Sequence, residues 1–188
     1  MAQVKVSPET FELIEFDAAE IAAVASSVAD AVGLGADVEV RMTIDEAVIM
    51  AKTSSRLEGD TVVVEATGGA FESLRAARKF DETRCRNVLG QALLRARDRL
   101  DPSFADAPAD GDLDVHQETA WATYIEGRLA RLGVISGRPQ RRIYHFRVRH
   151  GFNDKVDQVF DRLWNGQDLT WADLQAASDD ARGATVGS

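Results

Sequence analysis

A lone cysteine, Cys85, is all the thiol chemistry that the sequence offers, which excludes a disulfide scaffold and any multi-cysteine zinc or iron–sulfur site. One thiol fits a reducing cytoplasm better than an oxidising exterior. Long apolar runs are missing too. The start, MAQVKVSPETFELIEF, has no basic stretch leading into an apolar one, and no run approaches the eighteen apolar residues of a membrane span. Neither a secretory signal nor a spanning helix is expected, and the expected location is cytoplasmic. Lysine is scarce: of 22 basic residues only Lys5, Lys52, Lys79 and Lys155 are lysine. Nearly all positive charge is therefore guanidinium, which meets carboxylates and phosphates as a planar fork. The accompanying excess of alanine suits a GC-rich genome of bacterial type.

The motifs of the common chemistries are also absent. No Gly–Lys dipeptide exists for a phosphate loop, and Gly33–Leu34–Gly35 lacks the third glycine of a dinucleotide fingerprint and precedes a predicted strand instead of following one. There is no Gly-x-Ser-x-Gly elbow, and Cys85 falls on the apolar stripe of its predicted helix, where a thiol is an inert small hydrophobe. The three histidines are His116, His145 and His150. The five-residue step from His145 to His150 suits neither helical nor strand ligand spacing, so no metal site is expected. Asp110, Asp112 and Asp114 imitate the start of a calcium loop, but Val115 stands where that loop needs glycine and Trp121 where it needs glutamate. No cofactor is expected.

Periodicity organises the rest. Asp17 with Glu20 resembles a capping box, and Ile21, Val24, Ala25, Val28 and Val32 then recur at helical spacing, predicting a helix over 18–32. Alternation at Val38, Val40 and Met42, followed by Ala47–Thr53 and Thr61–Ala66, predicts three short strands whose brief connections favour an antiparallel meander. Residues 70–80 read as a short helix or an irregular loop. Asp81 opens a helix over 82–100 with Cys85, Val88, Leu89, Ala92, Leu93, Ala96 and Leu100 in one stripe. Further on, Asp114 with Gln117, Asn153, and Thr170 with Asp173 are caps for three helices that carry the tryptophans.

The expected fold is thus α+β: a three-stranded antiparallel meander covered by two helices, followed by a small helical C-terminal region. The expected divisions are a sheet-and-helix domain over 1–101, an acidic linker over 102–113, a helical region over 114–178 packed on the first part, and a frayed tail over 179–188.

Charge is segregated beneath the net value of -9. Residues 101–127 hold seven acidic side chains and no basic one, whereas 128–150 hold seven arginines and no acid. Within that run the segment RPQRRIYHFRVRH alternates like a strand at Tyr144, Phe146 and Val148, yet Pro139 and Gly151 bracket it as helix start and stop signals, which favours a helix. Arg141, Arg142, His145, Arg147 and Arg149 are the candidate anion- or partner-binding residues, because guanidinium interleaved with aromatic rings recognises anionic surfaces. Competing with this, the same arginines can pair with carboxylates of 101–118 or 154–161, or with the acidic sheet.

The leading functional reading is a soluble cytoplasmic binding or interaction protein without catalysis, whose partner is an acidic protein, a second copy of the chain, or a small anionic ligand. The alternative is a hydrolase or transferase acting on an anionic substrate, with His145 or His150 as general base and arginines holding the anion. Nucleic acid is disfavoured by the net acidity.

Overall fold

The computed structural model describes residues 2–186. The chain divides into two compact units, residues 1–97 and 98–188. The division falls inside a long helix, upstream of the stretch expected to be a linker.

The first unit is built from β1 (Gln3–Ser7), α1 (Ala18–Ala31), β2 (Glu39–Asp45), β3 (Thr53–Glu58), β4 (Thr61–Thr67), the single turn α2 (Gly68–Phe71) and most of α3 (Glu82–Leu100). The α+β class stands, but the meander does not. The sheet has four strands in the order β1-β2-β4-β3, with β1, β2 and β4 parallel and only β3 antiparallel to its neighbour. Two features of the sequence hid this. The strand β1 shows only a weak alternation, Val4 and Val6 between Gln3, Lys5 and Ser7, yet α1 is the crossover that sets it parallel to β2. The connection from β2 to β4 is too short for a helix, but β3 itself runs back along the far side of β4 and closes the crossover.

The apolar run Ala47–Thr53, expected to be a strand, is mostly loop, and the strand begins only at Thr53 with the polar sequence TSSRLE. Polar residues suit β3 because it is an edge. Gly59, at φ +60°, supplies the turn of the β3–β4 hairpin. One face of the sheet buries Val40, Met42, Ile44, Val62, Val64 and Ala66, and the same unit buries Ile21, Val24 and Val28 of α1 and Cys85, Leu89 and Leu93 of α3. The other face carries its own ion pairs, Lys5 with Glu39 at 2.9 Å and Arg56 with Glu65 at 2.5 Å among them. Many of the sheet's acids are thus already neutralised within it.

The second unit contains a 3-10 turn at Pro102–Phe104 and four helices, α4 (Val115–Arg131), α5 (Pro139–His150), α6 (Asp154–Asn165) and α7 (Trp171–Val186). The predicted caps form. Asp114 and Gln117 make a reciprocal capping box, Asn153 accepts the amide of Val156, and Thr170 and Asp173 bond each other's backbone N–H. Trp121, Tyr124, Phe146, Phe160, Leu163 and Trp171 are buried together with Phe104, which stacks on Trp121 at 5.5 Å. The segment 102–113 is therefore folded against its own helices, and Arg99 ties it down at Pro108 and Asp110. Helix α7 continues through most of the stretch expected to fray, with Ala181 buried; residues 187–188 lie outside the described part. Among the described residues no helix is long and apolar enough to cross a membrane.

At Asp98, 3% exposed, the carboxylate accepts Trp121 Nε1 at 2.9 Å and Arg128 at 2.6 and 2.7 Å. The guanidinium of Arg128 also lies 4.1 Å over the ring of Tyr124. Helix α4 packs against α5, α6 and α7, and comes close to α6 at Gly127, where an added Cβ would lie 2.0 Å from the carbonyl oxygen of Trp164. A Gly→Ala exchange inside a helix ordinarily stabilises by about 1 kcal/mol. Here Gly127→Ala is expected to lower stability by about 1–3 kcal/mol, because backbone must shift to admit the methyl group. Urea denaturation measures this, and a stabilised variant would refute the close approach.

Candidate functional site

The ambiguous segment 138–150 is helical. Pro139 occupies the first turn, where its missing N–H is no loss, and Gly151 ends the helix at φ 104°. The proline and glycine signals prevail over the strand-like alternation: of its three apolar residues only Phe146 is buried, while Tyr144 is 59% exposed and Val148 is 51% exposed. A helix sorts the five candidate residues by a four-residue step.

Two of the five face inward and meet carboxylates. Arg142 pairs with Glu126 of α4. Arg147 grips Asp157 of α6 with two parallel bonds, 2.7 and 2.5 Å long. That grip holds the Asp157 carboxyl below its ordinary pKa and raises the guanidinium above its own. Internal pairing was one of the two expectations for this segment, and for these two arginines the structure bears it out, although Glu126 lies outside the expected acidic stretches.

The other three do not follow. Arg141, His145 and Arg149 are exposed at successive four-residue steps along the outer side of α5. Among the described residues neither Arg141 nor Arg149 has a carboxylate partner, and Arg138 at the helix start is exposed in the same way. Between them project Tyr144, Val148 and Phe152, the last 66% exposed, with the Tyr144 and Phe152 rings edge-to-face at 6.3 Å. Phe152 lies just beyond the helix, after Gly151, and was not singled out from sequence, because helical spacing does not carry past the glycine that ends α5.

The histidines separate sharply. His145 stands on the open helix face beside Tyr144. His150 is 1% exposed, stacked on Phe146 at 4.2 Å, with Nδ1 placed 3.2 Å from the Phe146 carbonyl oxygen. His116, in the first turn of α4, approaches it edge-on at 5.0 Å, because α4 and α5 run antiparallel and bring their outer ends together. Spacing along the chain gave no warrant for that meeting. Among the described residues no group of three metal-ligating side chains forms. Cys85 is likewise closed to chemistry, its thiol pushed up to about 12 by burial.

Comparison with known proteins finds no matching family model, no matching curated protein and no matching solved structure.

Burial pushes the His150 imidazole down to about 4, and the nearby charges of His116 and Arg182 act in the same direction, against the Phe146 carbonyl and Asp114. The folded state therefore binds fewer protons than the unfolded chain between pH 4 and the ordinary histidine value. Stability is full above about pH 6.5 and declines as the pH falls toward 4, by up to about 3 kcal/mol. Comparing urea midpoints of the wild type and His150→Gln at pH 7.5 and pH 4.5 isolates this contribution. The variant should lose less stability on acidification; an equal loss in both proteins would show that His150 is not held neutral.

Proposed function

We propose that the chain is a binding protein that docks an acidic polypeptide on the outer face of α5. The observation that carries this reading is the exposed row of Arg141, His145 and Arg149, interleaved with Tyr144, Val148 and Phe152 and lacking internal carboxylate partners for its arginines. Arginine and tyrosine are the residues that dominate binding energy at protein interfaces. A row of cations four residues apart advances about 6 Å per step, a repeat that an acidic helix laid alongside matches.

Shape favours a macromolecule over a small anion. Small ligands are held in concave sites by converging groups, whereas these side chains radiate from a helix. Nucleic acid is the weaker fit, because a net charge of -9 opposes the phosphate backbone. The buried, free Cys85 supports a reducing, cytoplasmic setting. A second copy of this acidic chain is one source of such a partner, and sedimentation of the wild type against an outer-face variant separates it from a foreign one.

The probe is a fluorescein-labelled, glutamate-rich amphipathic helical peptide with leucine at every third or fourth position. The triple exchange Arg141→Ala, His145→Ala, Arg149→Ala should weaken its binding at least tenfold without changing the melting temperature. Phe152→Ala alone should cost about 1–2 kcal/mol of binding. Arg142→Ala should lower the melting temperature instead, since it strands Glu126. Unchanged peptide affinity in the triple variant would end the proposal, as would a single-stranded oligonucleotide that binds more tightly through the same residues.

A further inference from the structure

The first unit displays apolar side chains where a folded chain has no internal use for them. In the loop joining β2 to β3, Val48, Ile49 and Met50 point outward, Ile49 at 69% and Met50 at 78% exposure, and Leu74, beyond α2, is 88% exposed. Contiguous exposed apolar surface of this kind marks interaction sites.

The display is rigid. Thr67 Oγ1 donates to the Met50 carbonyl at 2.6 Å and accepts the Lys52 amide at 2.9 Å, while the Gly69 amide donates to the Val48 carbonyl at 3.3 Å. At Gly69 there is no room for a side chain, since a Cβ would lie 1.8 Å from the Ile49 carbonyl oxygen. The loop is thus held in place before any ligand arrives, which lowers the ordering cost of binding.

Between this loop and the segment after α2 lies a cavity of about 390 Å³, lined by Ile49, Ala51, Leu74 and Ala77 together with Arg75 and Arg84. Its lining comes from the segments that follow the carboxyl ends of the parallel strands β2 and β4 and from Arg84 of α3. The two guanidiniums give it a sign. Arg84 is half-buried and fixed by donating Nε to the Ala70 carbonyl at 3.0 Å and Nη2 to the Gly69 carbonyl at 3.2 Å. Among the described residues neither it nor the exposed Arg75 has a carboxylate partner. The one acid in the lining, Glu72, accepts the Arg78 amide instead.

We propose that this cavity binds the carboxyl terminus of a partner peptide ending in an aliphatic residue. The terminal carboxylate is the anion that Arg84 and Arg75 lack. The last side chain fits against Ile49 and Leu74, and the open side of the cavity lets the preceding residues leave across Met50. A carboxylate without a chain would leave that outer apolar strip uncovered. This site is independent of the α5 face in residues and in ligand.

Fluorescence polarisation with hexapeptides of glycine and serine ending in leucine, isoleucine or valine tests it on the full chain. The free acid should bind at least tenfold more tightly than the carboxyl-terminal amide. Arg75→Ala should weaken binding about tenfold and Leu74→Asp should abolish it, with unchanged melting temperatures because both side chains are exposed. The triple exchange at Arg141, His145 and Arg149 should leave this binding intact, so either site can fail alone. Equal binding of acid and amide, insensitivity to Leu74→Asp, no binding of any of the three peptides, or binding of octanoate alone with the same variant dependence would each overturn the proposal.

Discussion

In the arginine-rich second unit the most deeply withdrawn guanidiniums, those of Arg99, Arg128 and Arg142, each have a carboxylate beside them, and that pairing organises the unit. Removing one partner of a buried pair is costly because the other charge is left without compensation. Asp98 meets this need for Arg128 inside the core, and the same carboxylate satisfies the indole N–H of Trp121. Glu126 meets it for Arg142 and Asp157 for Arg147. Within the second unit each of these pairs joins a different couple of segments, Asp98 to α4, α4 to α5, and α5 to α6, so the charges fix how α4, α5 and α6 are turned as well as how they are held. Once α5 is turned by its two inward arginines and Phe146, the direction of its remaining cations is no longer free.

Much of this was legible along the chain. The capping residues Asp17, Asp114, Asn153 and Thr170 announce helices that form where they predict, because capping is a local bond between a side chain and the next few amides. The α5 segment was harder, since Tyr144, Phe146 and Val148 alternate as strands do; the bracketing proline and glycine carried the better information. The sheet was misjudged for a different reason. Strand order is a matter of long-range pairing, and the apolar run around Ile49 reads as a strand although it forms a loop in which Ile49 and Met50 are exposed. The real edge strand, Thr53–Glu58, is polar and leaves little trace in hydrophobic periodicity.

At the candidate site the sequence drew attention to α5 without dividing its residues between the inward and the outward face. A helical step places Arg141, His145 and Arg149 on one line, but which line faces water depends on the acids opposite. Glu126 and Asp157 lie on other helices, and no local rule links them to α5. The meeting of His116 with His150 was hidden in the same way, as it follows from the antiparallel course of α4 and α5.

The most direct measurement is nuclear magnetic resonance mapping of the isotope-labelled chain during titration with the glutamate-rich peptide. Shifts concentrated at Arg141, Tyr144, His145, Arg149 and Phe152, with the side-chain signals of Arg142 and Arg147 unmoved, are the expected result. Saturable binding whose shifts fall elsewhere, or which releases Arg147 from Asp157, would contradict the assignment of the outer face of α5 as the surface that meets a partner.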